Sequence, residues 1–126
     1  MNVHCGMDIV ELDRIDQAIL KHGDSFLNKV FTKVERDYCE SKGKAALQSF
    51  AARFCAKEAV SKALGTGIAK GVTFQDIEII NDDAGKPVAV LHGEAKRLFE
   101  KMGGKAIDVS LTHSRHYAAA QAVILL

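Results

Sequence analysis

Residues 45–67 read AALQSFAARFCAKEAVSKALGTG, and this stretch predicts the longest helix of the chain. From Ala45 to Leu64 it contains neither glycine nor proline, the residues that interrupt helices most strongly. Gly65-Thr66-Gly67 follows at once, and glycine there is typical of a helix end because it adopts positive φ without strain. The other predicted elements are therefore placed relative to this helix.

A carboxylate lies on the apolar side of the predicted helix. At about 100° per residue, Glu58 falls in the middle of a face formed by Leu47, Phe50, Ala51 and Phe54. We expect Arg53 and Lys57 to point elsewhere, on the solvent side. A carboxylate buried alone is costly, so Glu58 needs a partner. Three partners stay open: Lys62 as an i,i+4 pair, an arginine from elsewhere, or a divalent cation shared with a second carboxylate.

The residues before this helix predict a strand and two further helices. Alternation over residues 3–10 indicates a strand whose Val3/Met7 side is buried and whose Asp8 points the opposite way. A helix is predicted over residues 13–22, ended by Gly23. Thr32 and Glu35 have the spacing of a capping box, which predicts a helix that stops near residue 43.

The residues after it change to the period of strands. Extended segments are predicted at 72–74, 77–80 and 88–91, with a turn-rich connection over 81–87. A short helix over 94–102 and a strand over 107–112 follow. Residues 117–126 fit either a helix or a strand, and we favour a strand because Val123-Ile124-Leu125 is apolar and β-branched in part. Together these elements predict a single α+β domain, residues 1–126, with helices packed on an antiparallel sheet.

Asp8 is the obvious second carboxylate for a cation at Glu58. Gly6, two residues earlier, leaves the strand backbone open to close approach by another element. Mg²⁺ binds few protein ligands and retains water, so two carboxylates from separate elements suit it. Lys62, Ser61 and the glycine amides after the helix are groups that pyrophosphate oxygens would bind.

Composition excludes several other classes of protein. The 126 residues carry 17 basic and 16 acidic side chains, a formal charge of +1, which argues against a polybasic binder of nucleic acid or membrane. No stretch predicts a membrane helix, and the first residues lack a secretory signal. The 3 cysteines have no CxxC spacing and predict free thiols in a reducing cytoplasm.

Six motifs occur together in one order: Gly6-Met7-Asp8-Ile9-Val10-Glu11 with Arg14, Phe31-Thr32 with Glu35, residues 53–67, residues 74–79, Gly85-Lys86-Pro87, and Ser110-Leu111-Thr112-His113-Ser114. In this combination the chain resembles the bacterial holo-acyl-carrier-protein synthases over nearly its whole length. The resemblance implies an α+β, usually homotrimeric 4′-phosphopantetheinyl transferase of fatty acid biosynthesis, with active sites between subunits. It would transfer the phosphopantetheine arm of coenzyme A to a serine of apo-acyl carrier protein, releasing adenosine 3′,5′-bisphosphate.

The resemblance also implies roles for individual residues. It places Mg²⁺ on Asp8 and Glu58. It assigns contacts with coenzyme A to a larger set: Lys62, Arg53, Ser61, Gly65, His113 and the pair Lys86-Pro87. The acidic carrier protein would dock on the first helix, at Arg14 and Lys21, which lie seven residues apart on one face.

Two points stay open at the level of sequence. The base that accepts the serine proton could be Glu58, a water on the metal, or a carboxylate of the carrier protein. His113 is expected to form a structural hydrogen bond or to contact the ligand rather than to act as the base. Two rival functions also remain: a small non-catalytic binding module whose Glu58–Lys62 pair is structural, and a metal-dependent nucleotide hydrolase that uses water as acceptor.

Overall fold

The computed structural model describes residues 2–126, which form ten helices and strands. In chain order these are β1 (Val3–Glu11), α1 (Leu12–His22), α2 (Asp24–Val30), α3 (Lys33–Glu40), α4 (Ala46–Ala63), β2 (Ile77–Asn81), β3 (Pro87–Leu91), α5 (Gly93–Lys101), β4 (Ala106–His113) and β5 (Tyr117–Leu125). Short 3₁₀ turns lie at Gly43–Ala45 and Phe74–Asp76. The α+β prediction is confirmed. None of the helices within the described range is long and apolar enough to span a bilayer.

Two antiparallel sheets carry the strands. One has the order β1-β5-β4, so the last strand of the chain lies between the first strand and β4, and the other pairs β2 with β3. The strand prediction for the C-terminal segment is confirmed: along β5, Ala118, Ala120, Ala122 and Ile124 are buried while the residues between them are more exposed. This period of two is what a sheet with one covered face requires.

The sheet β1-β5-β4 packs on α4 with the side of β1 that the sequence pattern predicted to be exposed. His4, Gly6, Asp8 and Val10 face the helix, whereas the side chains of the apolar set are exposed, Met7 by 67% and Ile9 by 66%. The expectation that the Val3/Met7 side is buried is therefore wrong for the single chain. The physical reason is Gly6, because only the side that bears a residue without a Cβ can approach the helix backbone closely.

Helix α4 is the centre of the domain and is covered on nearly all sides. It packs against the three-stranded sheet, against α1 and α3, and against β2. Arg53 and Lys57 are consequently 5% and 0% exposed, so the expectation that they point to solvent is wrong. An apolar stripe identifies one buried face of a helix, but it does not show that the opposite face is covered as well.

Lys57 is neutralised inside the domain by a carboxylate on α3. Its Nζ lies 2.6 Å from Glu35 Oε1, and both side chains are fully buried. Lys57 Nζ also donates to the carbonyl oxygens of Ile77 at 2.8 Å and Phe74 at 3.0 Å. Burial lowers the pKa of Lys57, and the charge of Glu35 opposes that shift. These hydrogen bonds are what a buried ion pair requires to be tolerated, and they tie α4 to α3 and β2.

Most of the remaining local predictions are confirmed. The capping box forms, with Glu35 N donating to Thr32 Oγ1 at 3.3 Å and Thr32 N donating to Glu35 Oε1 at 2.8 Å. Gly23 and Gly65 end their helices with φ of 52° and 89°. Two predictions differ: α2 was not expected, and Phe74, expected to be extended, begins a 3₁₀ turn.

Candidate active site

A cavity of about 370 Å³ lies between β1, α1 and α4, and we call it the carboxylate cavity. Its polar lining consists of Asp8 from β1, Arg14 from α1, and Glu58 and Lys62 from α4. Its apolar lining includes Phe26 and Phe54. The structure thus brings together the two carboxylates and the lysine that the sequence analysis singled out, with one of the two expected docking residues.

Gly6 explains why β1 and α4 come close enough to form this cavity. A Cβ placed on Gly6 would lie 1.9 Å from the carbonyl oxygen of Ala59 and 2.8 Å from the amide nitrogen of Ala63. Both are backbone atoms of α4, so any side chain at position 6 would force the strand away from the helix. Asp8 is the next residue on the same side of β1, and the close approach therefore sets its position relative to Glu58.

Lys62 is bonded to the strand and not to its neighbour on the helix. Its Nζ donates to the carbonyl oxygen of Met7 at 2.9 Å and lies 3.2 Å from Asp8 Oδ1. Among residues 2–126, Glu58 forms no ion pair with a lysine or arginine. Neither structural partner considered for Glu58, the i,i+4 lysine or a distant arginine, therefore forms an ion pair with it.

The electrostatics of the cavity show a carboxylate that lacks compensation. Burial raises the pKa of Glu58, the charge of Asp8 raises it further, and Lys62 opposes the shift. The neighbouring Cys55 thiol is affected similarly, since burial and then Asp8 raise its pKa to about 12. Asp8 and Glu58 therefore repel each other at the cavity, and a cation bound to both carboxylates would relieve that repulsion.

The donor set fits Mg²⁺ more closely than a softer metal. The part of the chain that the structure describes contains no group of three or more His, Cys, Asp or Glu side chains arranged for a metal. Asp8 and Glu58 supply only hard oxygen donors, and the cavity has room for water and substrate oxygens. Mg²⁺ is commonly held by one or two carboxylates together with such oxygens, so these residues suit it.

A second cavity, of about 250 Å³, lies at another side of α4, and we call it the arginine cavity. Arg53 lines it together with two residues assigned to coenzyme A by resemblance, Pro87 and His113. Three further lining residues were not singled out from the sequence: Tyr38, Lys42 and Asn81. The Tyr38 ring contacts both cations, with Lys42 Nζ at 4.5 Å and Arg53 Cζ at 4.2 Å from its centroid. Of these three residues, only Lys42 carries a signal in the sequence, because a basic side chain can bind an anion.

The other residues named from the resemblance line neither cavity. Ser61 is fully buried and its hydroxyl donates to the carbonyl oxygen of Glu58 at 2.6 Å. Gly65 follows the end of α4, and Lys86 lies 2.5 Å from Asp108 on the surface. Lys21 is exposed in the last turn of α1. Contacts of these residues with a ligand or a partner stay predictions.

Comparison with known proteins places the whole domain in one family. Residues 4–122 match the family model of the 4′-phosphopantetheinyl transferase superfamily. A holo-acyl-carrier-protein synthase of Ruminiclostridium cellulolyticum is 52% identical over 126 residues, covering 100% of this chain and 94% of the relative. One from Koribacter versatilis is 44% identical over 119 residues, covering 94% of each chain. The solved structure of the Helicobacter pylori enzyme in complex with coenzyme A matches with a TM-score of 0.84 at 30% identity, over 95% of this chain and 98% of that one. All residues of both cavities lie within the matched range.

Proposed function

This chain belongs to the 4′-phosphopantetheinyl transferase superfamily, and on that premise we propose that it converts apo-acyl carrier protein to its holo form. It is a holo-acyl-carrier-protein synthase in activity: coenzyme A donates its phosphopantetheine arm to a carrier serine. The observation that carries this function is the 52% identity, over the whole chain, to an enzyme of that name. The reaction serves fatty acid biosynthesis in the cytoplasm, a location that the three free cysteines suit.

The chemistry is a displacement at the β-phosphorus of coenzyme A. The serine hydroxyl gives its proton to a base and its oxygen forms a bond to phosphorus, while the bond from phosphorus to the bridging pyrophosphate oxygen breaks and adenosine 3′,5′-bisphosphate leaves. Asp8 and Glu58 are the residues that would hold Mg²⁺, which when bound withdraws charge from the pyrophosphate oxygens. Lys62, half exposed and tethered to β1, places its ammonium group where a phosphate oxygen can bind it.

The two cavities together suggest a site formed between subunits. Arg53 and Glu58 are five residues apart on α4, so their side chains leave the helix about 140° apart. A single chain therefore presents the arginine cavity and the carboxylate cavity on different sides. We place one coenzyme A between the carboxylate cavity of one subunit and the arginine cavity of a neighbour, which gives Arg53, Pro87 and His113 their expected contacts.

The exposed side of the sheet β1-β5-β4 supports such an assembly. Its exposed apolar side chains are Val3, Met7, Ile9, Tyr117 and Leu125. An apolar patch of this kind on a small domain is typical of a subunit interface, and a 126-residue chain gains core by oligomerising. We propose a homotrimer, and light scattering in solution should give three times the chain mass of 13.7 kDa. A monomer mass would contradict the shared site.

Helix α1 is the proposed docking surface for the carrier protein. Arg14 lines the carboxylate cavity, so a carrier bound there would present its serine beside Asp8 and Glu58. Lys21 is exposed further along the same helix and extends the cationic surface. Carrier proteins are acidic, and complementary charges guide such encounters.

Arg14→Glu should therefore raise the KM for carrier protein by about ten-fold or more, because it opposes the partner's charge. The affinity for coenzyme A should stay within about two-fold, since Arg14 is assigned to the carrier and not to the nucleotide. Lys101→Glu, a charge reversal on the surface of α5, is the matched control and should change neither constant. Steady-state kinetics and calorimetry measure the two effects. Equal losses of carrier and coenzyme A affinity would contradict this division of roles.

The function itself is tested by the mass of the carrier protein. Incubation with coenzyme A, Mg²⁺ and apo-acyl carrier protein should add one phosphopantetheine group to the carrier. Release of adenosine bisphosphate without any change in the carrier would indicate the nucleotide hydrolase. Neither product would indicate a non-catalytic binding module, and would overturn the proposed activity.

A further inference from the structure

The guanidinium group of Arg53 is held from two sides within the arginine cavity. Nη2 donates to Asn81 Oδ1 and Nη1 donates to Ser49 Oγ at 3.3 Å. The Tyr38 ring covers the group at 4.2 Å from its centroid. Arginine has a long side chain with many rotamers, and fixing one of them before a ligand arrives lowers the entropic cost of binding.

Asn81 connects this guanidinium to a turn of the second sheet. Its Nδ2 donates to the carbonyl oxygen of Gly85 at 2.9 Å, across the connection between β2 and β3. Asn81 also pairs with Pro87 as the last rung of that hairpin. The position of the arginine therefore depends on the β2–β3 hairpin and not only on its own helix.

Arg53 keeps hydrogen-bond donors for a ligand. Arg53 is only 5% exposed. Nη1 and Nη2 each carry a second N–H besides the one that binds Ser49 or Asn81, and these two N–H groups remain for a ligand. Lys42 and His113 line the same cavity, so the ligand that these donors suit is an anion.

An asparagine suits this place better than an aspartate would. The amide oxygen accepts the hydrogen bond from Arg53 while leaving its positive charge uncompensated. A carboxylate there would hold the guanidinium at least as firmly, but it would neutralise the charge that an anion needs. Asn81 can thus fix the arginine without competing with a phosphate for it.

We propose that Asn81 is a positioning residue for coenzyme A binding, which holds Arg53 so that its free N–H groups face a phosphate of the nucleotide. The proposal rests on the proposed function, because it takes coenzyme A as the ligand of the arginine cavity. Asn81 acts through Arg53 and needs no contact with the substrate.

The test compares Asn81→Asp and Asn81→Ala with the unmutated chain. Both should weaken coenzyme A binding by about ten-fold, since a charge-assisted contact with phosphate is lost or neutralised. Asn81→Asp should lower the melting temperature less than Asn81→Ala does, because it keeps an acceptor for Arg53 and loses only the donor to the Gly85 carbonyl oxygen. The KM for coenzyme A should rise while kcat changes by less than about two-fold. Asn28→Asp is the matched control, because Asn28 Oδ1 accepts a hydrogen bond from Arg36 at 2.8 Å on the exposed surface.

Calorimetry with coenzyme A alone separates this proposal from the proposed function. If the carrier gains no mass but coenzyme A binding responds as described, the function fails and the role of Asn81 stands. If Asn81→Asp binds coenzyme A as tightly as the unmutated chain, Asn81 is only structural and the proposal is overturned. In an Arg53→Ala background, Asn81→Ala, which adds no charge, should have no further effect on binding. A second loss of equal size there would also overturn the proposal, because Asn81 would not act through Arg53.

Discussion

Asp8→Asn should lower the rate of phosphopantetheine transfer by at least about 100-fold, because a bound metal contributes several kcal/mol of transition-state stabilisation. The substitution keeps the size of the side chain and removes one of only two carboxylates in the cavity. Chelation of Mg²⁺ should have the same effect on the unmutated chain, and added Mg²⁺ should restore its activity. The mass-shift assay, followed over time, measures all three rates.

The melting temperature of Asp8→Asn should rise or stay unchanged, although the variant loses activity. The Asp8–Lys62 contact, 3.2 Å long with a half-exposed lysine, contributes at most about 1 kcal/mol. Asp8 also raises the free energy of the partly buried Glu58 carboxylate, and that repulsion disappears in the variant. A melting temperature that holds or rises while activity is lost would mark Asp8 as a functional group that the fold does not need.

Asp37→Asn provides the control for this experiment. It also removes one negative charge that is paired with a lysine, in this case the exposed Lys33 at 2.7 Å on α3. It lies outside both cavities, so transfer should proceed at the unmutated rate. Activity that survives both Asp8→Asn and chelation would contradict the assignment of a metal to Asp8 and Glu58.

The sequence indicated the carboxylate cavity because its residues break local rules. Glu58 interrupts an apolar stripe, and Gly6 weakens a strand that would otherwise be regular. Each anomaly is visible within a few residues of the chain, and the close approach of β1 to α4 is the physical reason for Gly6. Functional sites are where such conflicts between local preference and fold are expected.

The arginine cavity and the buried ion pair could not be found in the same way. Arg53 and Lys57 are acceptable on any exposed helix face, so their burial is visible only with their distant partners, Asn81 and Glu35. The capping box did predict the local role of Glu35, but its bond to the Ile79 amide at 2.7 Å depends on how α3 meets β2. Partners separated by tens of residues leave no periodic signal in one sequence.

The sides of β1 were assigned wrongly for a related reason. Alternation establishes that a strand has two different sides, and the more apolar side is normally the buried one. Here the apolar side is exposed in the single chain, and the side with Gly6 and Asp8 faces α4. A strand whose polar side lines a cavity, and whose apolar side is exposed for the proposed subunit contact, has the pattern of an ordinary core strand.

Gly6→Ala should damage both stability and activity, because the new methyl group has no space. Its Cβ would lie 1.9 Å from the Ala59 carbonyl oxygen, and a backbone atom of a central helix cannot turn aside as a side chain can. Crowding of this kind typically costs about 1–3 kcal/mol, and more where no neighbour can move. The melting temperature should fall accordingly, as measured by circular dichroism.

The loss of activity should exceed what the unfolded fraction explains. Relief of the clash requires β1 to move away from α4, and that movement carries Asp8 away from Glu58. A displacement of about 1 Å in a catalytic group can cost about 100-fold in rate, so the rate per folded molecule should fall well below that of the unmutated chain.

Gly104→Ala separates crowding from misplacement of Asp8. The Cβ added there would lie 2.2 Å from Phe99 Cε2, a side-chain atom outside both cavities that can shift to relieve the contact. This variant should lose some stability and keep its rate per folded molecule. If Gly6→Ala also kept that rate, β1 would tolerate displacement, and the close approach at Gly6 would not be what sets the distance between the two carboxylates. The comparison therefore tests whether one missing side chain, two residues before Asp8, assembles the site.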